Sequence, residues 1–297
     1  MGSVATRLPM AAEAEPLFPH VAIVGYGLIG ASLGMAIHER WPKTMIIAID
    51  RKDVIESAMR MQAADVGGED LVLAAGADLI VLASPVRANI ETLWRLPDHV
   101  PGAAIVTDAG STKRETVAAA RVLPARLRFI GGHPLAGAAL GGIEAARPDL
   151  FSGRPWILTP EDGSDETPLT PFLRQLGADV RITTPQAHDE LLAYISHLPQ
   201  LTASALMSVV GGKAMEPGLA LSGRGLRDTT RLASSPSDIW RDIAATNPDH
   251  LARALDELIA VLARLKDDLR GDAAVLDEVF ESAAGWKRVL ERECEKP

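Results

Sequence analysis

The sequence predicts an α/β fold in its first part, a doubly wound parallel sheet with helices on both faces, followed by an all-helical second part. Three observations predict it. Short, uninterrupted apolar runs alternate with helical segments as far as about residue 185. A glycine-rich turn, Gly25-Tyr-Gly-Leu-Ile-Gly30, follows the first of those runs and opens a helix. Beyond Thr184-Pro185 the strand signals stop and only helical periodicity remains. Runs that are apolar throughout belong to strands covered on both faces, the environment of a parallel sheet between helical layers.

The elements follow in order. Residues 1–19, rich in Ala, Glu and Pro, read as a flexible tail. Val21–Val24 is a strand, and Ser32–Arg40 is a helix closed by Trp41-Pro42. Met45–Ile49 is a second strand and ends in Asp50. Leu79–Ala83 ends at Ser84-Pro85, and Ala103–Thr107 ends at Asp108. Leu127–Ile130 leads into His133, and Trp156–Thr159 and Asp179–Ile182 complete the sheet. His188–Val210 is a long helical stretch interrupted by Pro199. Pro248–Leu269 is a strong helix, with Asn247 as its expected N-cap and Gly271 past its end. Asp272–Glu293 is another. In the first of these, Leu251, Leu255, Leu258, Ile259, Leu262 and Leu265 recur at helical spacing. Apolar faces of that extent favour a dimer over a monomeric helical core. The expected division is a tail at 1–19, an α/β domain at 20–185 and a helical domain at 186–297.

Composition narrows the function. At 297 residues the chain is long enough for two domains. A net charge of −9 and the lack of any Lys/Arg block argue against nucleic-acid and anionic membrane partners. Cys294 is the only cysteine, so no intramolecular disulfide or thiolate metal cluster is expected, and no metal site is predicted. The tail carries Glu13 and Glu15 without the apolar core of a signal peptide, and no apolar run reaches membrane-spanning length. A cytoplasmic protein is the expectation.

The glycine turn has the context that gives it meaning. It follows a strand, opens a helix, and an acidic residue, Asp50, stands at the end of the next strand. This is the Rossmann-type dinucleotide fingerprint. Gly25 permits the tight turn, Gly27 lets backbone approach a pyrophosphate, and Gly30 allows close helix–sheet packing. The amides at Leu28 and Ile29 open the helix, whose N-terminus favours phosphate. Asp50 is placed to accept from the adenosine ribose hydroxyls, which favours NAD over NADP. Arg51 beside it leaves NADP possible, since arginine can hold a 2′-phosphate. Ser84 and Pro85 end a later strand and are expected on the same edge.

His133 lies in Gly-Gly-His-Pro-Leu-Ala-Gly137, at the carboxyl end of a strand in such a sheet. Neutral imidazole accepts a proton near pH 7, and a base there can take a hydroxyl proton while hydride leaves. That combination points to a dehydrogenase. Ser111, after the preceding strand, is expected at the same substrate hydroxyl. In the helical part, Ser196-His-Leu-Pro-Gln200 places polar groups at a proline-marked break. Gly223-Arg-Gly-Leu-Arg-Asp-Thr-Thr-Arg231 carries three arginines, whose forks suit carboxylates, and Trp240 follows.

Together these residues resemble the prephenate dehydrogenase family, which includes the arogenate-using and dual-specificity enzymes of tyrosine biosynthesis. The resemblance rests on Val21–Leu33, Asp108-Ala-Gly-Ser-Thr-Lys113, Gly132–Gly137, Asp149–Thr159, Ser196–Pro199 and Arg227–Arg231 through Trp240, in that order. It implies a Rossmann domain followed by a helical dimerisation domain, and oxidative decarboxylation of prephenate or arogenate with NAD(P) accepting hydride. It further implies that His133 is the base at the ring hydroxyl, assisted by Ser111. Arg231 would grip a substrate carboxylate, and Ser196, His197, Gln200, Trp240 and Ala139 would border the substrate. The chain departs from the pattern at Ala139, where many members carry a Thr-Glu pair, and at Gln200, where many carry a second histidine. Both departures bear on the substrate's side chain and on any control by tyrosine, and they leave room for an amino-substituted prephenate.

Two other readings remain. Gly211-Gly-Lys213 faintly echoes β-hydroxyacid dehydrogenases, which use a helical-domain lysine as acid/base, without their flanking pattern. A non-catalytic NAD-binding sensor would keep the glycine turn and need no base.

Overall fold

The computed structural model describes residues 15–137, 141–161 and 167–294. Most of the tail expected at 1–19, residues 162–166 and Ala139 lie outside the described residues.

Among the described residues eight strands form one sheet: β1 His20–Val24, β2 Met45–Ile49, β3 Val66–Gly68, β4 Leu79–Leu82, β5 Ala104–Asp108, β6 Leu127–Pro134, β7 Pro155–Thr159 and β8 Asp179–Ile182. Their order is β3-β2-β1-β4-β5-β6-β7-β8. The sequence alternation dictates how the sheet is covered. Val21 and Ile23, Ile46 and Ala48, Leu79 and Val81 point into one apolar cluster, shared with Trp41, Trp156 and Phe172. Their neighbours Ala22, Ile47, Ile49, Ile80 and Leu82 point into a second, with Leu93, Leu96 and Val106. Successive side chains on a strand face opposite ways, so a run apolar at every position must be buried on both sides.

Two strand features differ from the sequence expectation. β3 was not foreseen, because Val66-Gly-Gly68 is too short and too glycine-rich to give an apolar run. The strands β1 to β6 pair in parallel, but β7 runs antiparallel to β6, with His133 opposite Ile157. Parallel pairing needs a crossover connection, usually a helix. Between β6 and β7 the described residues hold only a 3₁₀ turn, Ile143–Ala145, so the chain doubles back. β8 then pairs in parallel with β7 across helix α5, Leu169–Gln175.

The chain separates into two compact units. The first runs through Leu192 and includes Arg231–Asn247; it holds the sheet, helices α1 (Leu28–Arg40), α2 (Lys52–Arg60), α3 (Val86–His99), α4 (Arg114–Ala120), α5, α6 (Pro185–Leu192) and α9 (Ser237–Thr246). The second comprises Ala193–Thr230 and the chain from Pro248 on. It opens with a π-helical turn, Ala193–His197, and continues as α7 (Leu198–Leu219), α8 (Arg224–Thr229), α10 (Pro248–Asp268) and α11 (Ala274–Cys294). It contains no strand among the described residues. The break expected at Pro199 is therefore this π turn, with Pro199 in the first turn of α7, where its missing N–H costs nothing.

The expected N-cap role of Asn247 is not what its side chain does. It donates to the Asp189 carbonyl at 2.8 Å and accepts from Arg114 at 3.0 Å, so it ties α9 to α6 and α4. No described helix is long and apolar enough to cross a membrane.

Candidate active site

The nucleotide edge is built from β1, β2 and β4. Gly25 has φ +90°, a conformation that L side chains rarely adopt, and a Cβ there would strike the backbone at Ala83 and Ser84. A Cβ on Gly30 would collide with the Gly25 carbonyl oxygen. Gly27 is the opposite case: nothing lies within 4 Å of where its Cβ would be. The turn is thus closed where it meets the sheet and open where it faces outward. Gly27 is the N-cap of α1 and no side chain caps that helix, so its first amides face the same open space, with Leu28 and Ile29 half-buried there. A pyrophosphate fits this cradle.

Asp50 lies at the end of β2. One carboxylate oxygen accepts from the Tyr26 amide at 2.6 Å and the other from the Arg51 amide at 2.6 Å. The carboxylate therefore braces the glycine turn, and each oxygen keeps a further lone pair for a ribose hydroxyl. The Arg51 guanidinium is exposed and pairs with Asp53 at 3.5 Å. Ser84 and Pro85 follow β4, where the Ser84 amide donates to buried Asn89 at 3.1 Å. Tyr26 is buried against Gly34 and donates its hydroxyl to the Ala63 carbonyl. Burial raises its phenol well above the ordinary value.

The second part of the site surrounds β6. His133 stands inside that strand rather than after it, one residue from its end and 8% exposed. The residue before it explains the double glycine: a Cβ on Gly132 would strike the Asp108 carbonyl and the Thr107 hydroxyl of β5. The Gly132 amide donates to Asp108 at 3.1 Å, and the Gly132 carbonyl accepts from Lys113 at 2.6 Å. Lys113 and Asp108 pair with each other, both fully buried. Burial pushes the Lys113 ammonium below the ordinary lysine value, while Asp108 opposes that shift.

The His133 ring is fixed from α6. His133 Nδ1 lies 2.9 Å from His188 Nε2, and His188 Nδ1 lies 2.8 Å from Asp189 Oδ1. Asp189 also accepts the amides of Lys113 and Arg114, at 2.7 and 2.9 Å, so it caps α4 from a distant segment. Its burial raises the carboxyl, but the bonds from His188, Arg114 and Lys113 prevail and hold it below the ordinary value. Burial lowers His188 below the ordinary histidine value, and the Lys113 charge acts in the same direction.

Sequence reasoning missed this pair. His188 and Asp189 are adjacent in sequence and lie 55 and 76 residues from the groups they bind, so no periodic pattern signals them.

The other expected site residues divide between the units. Ser111, in the loop between β5 and α4, is half-buried in the first unit. Arg231 opens an exposed 3₁₀ turn and Trp240 lies half-buried on α9, both also in the first unit. Ser196, His197 and Gln200 belong to the second. Ser196 and buried His197 sit in the π turn, a distortion frequent at functional positions. Gln200 is buried on α7 and donates to Ser204 at 3.2 Å. Lys213, the acid/base of the β-hydroxyacid dehydrogenase reading, is exposed on α7. Among the described residues no cluster of His, Cys, Asp and Glu could hold a metal ion.

Comparison with known proteins matches residues 33–181 to the prephenate dehydrogenase nucleotide-binding domain and residues 184–282 to the prephenate dehydrogenase dimerization domain. The chain belongs to the prephenate dehydrogenase family. It is 31% identical over 283 residues to the prephenate dehydrogenase of Lactococcus lactis subsp. cremoris, which covers 91% of this chain and 77% of the relative. The prephenate dehydrogenase of A. aeolicus, solved with hydroxyphenyl propionate and NAD+, superposes with a TM-score of 0.82 at 28% identity, covering 91% of this chain and 98% of that one. Synechocystis arogenate dehydrogenase gives 0.76 at 30% identity, covering 91% and 99%. The two matched domains give this prephenate dehydrogenase family member its architecture, a Rossmann-like nucleotide-binding domain followed by a helical one. A nicotinamide cofactor accords with the open face at Gly27.

Proposed function

We propose that this chain is an NAD-dependent prephenate dehydrogenase that converts prephenate to 4-hydroxyphenylpyruvate in tyrosine biosynthesis. The observation that carries this reading is His133, a nearly buried imidazole on β6, the strand beside β5, with its Nδ1 engaged by His188. Its other nitrogen, Nε2, is then the one that takes the proton of the ring hydroxyl. Bound NAD would supply the hydride acceptor. Ser111 assists at the hydroxyl, and Arg231 holds a substrate carboxylate through a charge-assisted fork. The family resemblance offers Trp240 in the first unit, and Ser196, His197 and Gln200 in the second, as further substrate-contact candidates. The chain orients and desolvates the reactants and supplies the base. Loss of the ring carboxylate as CO₂ leaves an aromatic product, so turnover runs one way.

NAD is favoured over NADP because Asp50 puts negative charge where a 2′-phosphate would sit. Arogenate is the second reading, supported by Gln200 at a position where many family members have histidine and by the likeness to an arogenate dehydrogenase. A homodimer is part of the proposal. Ile259 and Leu262 on α10, and Phe280, Trp286 and Leu290 on α11, are 55 to 72% exposed, and the matched helical domain is a dimerization domain. The test is NADH and NADPH formation with prephenate and arogenate side by side, with and without tyrosine. Turnover of prephenate with NAD+ supports the reading; turnover of neither substrate with either cofactor overturns it.

A further inference from the structure

His188 and Asp189 are buried, adjacent on α6, and in line with His133. Proton bookkeeping along this line has one solution. Asp189 already accepts two backbone amides, which favours its carboxylate form, and a carboxylate accepts only. The proton between Asp189 Oδ1 and His188 Nδ1 therefore sits on the nitrogen. Burial and the neighbouring Lys113 ammonium favour neutral His188, which carries a single ring proton. With that proton on Nδ1, His188 Nε2 is a lone pair, and it can only accept from His133 Nδ1–H. Neutral His133 is then left with its lone pair on Nε2.

We infer that His188 and Asp189 are positioning residues which lock His133 into the tautomer whose Nε2 is basic, and steady it after it takes the substrate proton. The second part follows from the same line. When His133 becomes imidazolium, its Nδ1–H still points at a lone pair, and the Asp189 carboxylate lies behind that ring. Lys113 opposes this effect, but its ammonium is paired with Asp108, and Arg114 contacts the far oxygen of Asp189 at 3.4 Å. Asp108 ends β5, and Lys113 and Arg114 lie on the loop and helix that follow it. The catalytic role of His133 belongs to the proposed function, on which this inference rests; the device itself concerns ring protons and can be read without turnover.

The test uses the full-length chain with ¹⁵N-labelled histidine. Long-range ¹H–¹⁵N spectra assign the protonated nitrogen of each ring, with His133→Asn and His188→Gln identifying the signals. The expected result is Nδ1–H on both His133 and His188 at neutral pH. Kinetics supply the second readout. His188→Leu removes the acceptor, and kcat should fall about 10²-fold with KM nearly unchanged, the scale for losing a group that orients a functional histidine. His188→Gln, whose amide oxygen can accept the same N–H, should recover about tenfold of that loss. A proton on His133 Nε2 in the unmodified protein overturns the inference, and so do equal kcat values for the Leu and Gln variants. If the unmodified protein turns over neither prephenate nor arogenate, the proposed function fails while the spectra still decide the tautomer.

Discussion

Asp108 and Gly132, on neighbouring strands, are locked together by the Gly132 amide on one oxygen of the Asp108 carboxylate, while the other oxygen holds Lys113, which returns a bond to the Gly132 carbonyl. Gly132, the residue before His133, is thereby held at both its N–H and its C=O inside the core. A buried ion pair of this kind is costly to break from one side, because it leaves a lone charge. Lys113→Met should lower stability by about 3–5 kcal/mol, measured by urea denaturation. A loss below about 1 kcal/mol would show that the pair is not structural.

His133→Asn removes the proposed base and keeps a similar shape. Its kcat should fall by ~10²–10⁴-fold while NADH binding, followed by fluorescence, stays within about twofold. Near-normal turnover would take His133 out of the role and return the β-hydroxyacid dehydrogenase reading to consideration.

Arg231→Ala should act mainly on KM, by about tenfold or more, through a lost charge-assisted contact. An unchanged KM would pass the carboxylate to Arg224 or Arg227 on α8.

The glycine turn offers a contrast between two substitutions. Gly27→Val places a side chain in open space, so the melting temperature should hold while KM for NAD+ rises at least about tenfold. Gly30→Ala forces a Cβ against the Gly25 carbonyl and should cost about 1–3 kcal/mol of stability. Equal effects of both on stability would contradict the open face at Gly27.

Stability should also depend on pH through His188. Burial holds its folded pKa below the unfolded value of about 6.5, so the unfolded chain takes up the proton first as pH falls. The stabilisation is complete above that value and is lost as pH drops toward the folded pKa. Between about pH 7.5 and about pH 5.5 the loss from this residue should reach at most about 1.4 kcal/mol. Thermal melts of His188→Gln should show a correspondingly flatter pH dependence than the unmodified chain.

Much of this was legible in the sequence, and for a local reason. Strands apolar at every position announced a sheet buried on both faces, and the spacing of Gly25, Gly27, Gly30 and Asp50 announced the nucleotide edge. His133 was legible as a candidate base near a strand end because its glycines and proline mark the last residues of β6. Each of these signals spans a few residues, and backbone geometry acts over the same range.

The tertiary structure alone decided the rest. The reversal of β7 depends on how the chain returns from β6. The Lys113–Asp108 clamp on Gly132 joins two neighbouring strands, and the line from Asp189 through His188 to His133 joins a strand to a helix that arrives more than fifty residues later. Asn247, a plausible N-cap by sequence, is drawn instead to Asp189 and Arg114 because buried polar groups must find partners wherever the fold brings them. The sequence by itself singled out His133 as the proposed base; which of its two nitrogens would carry the proton depends on His188 and Asp189, groups remote in the chain that only packing brings beside it.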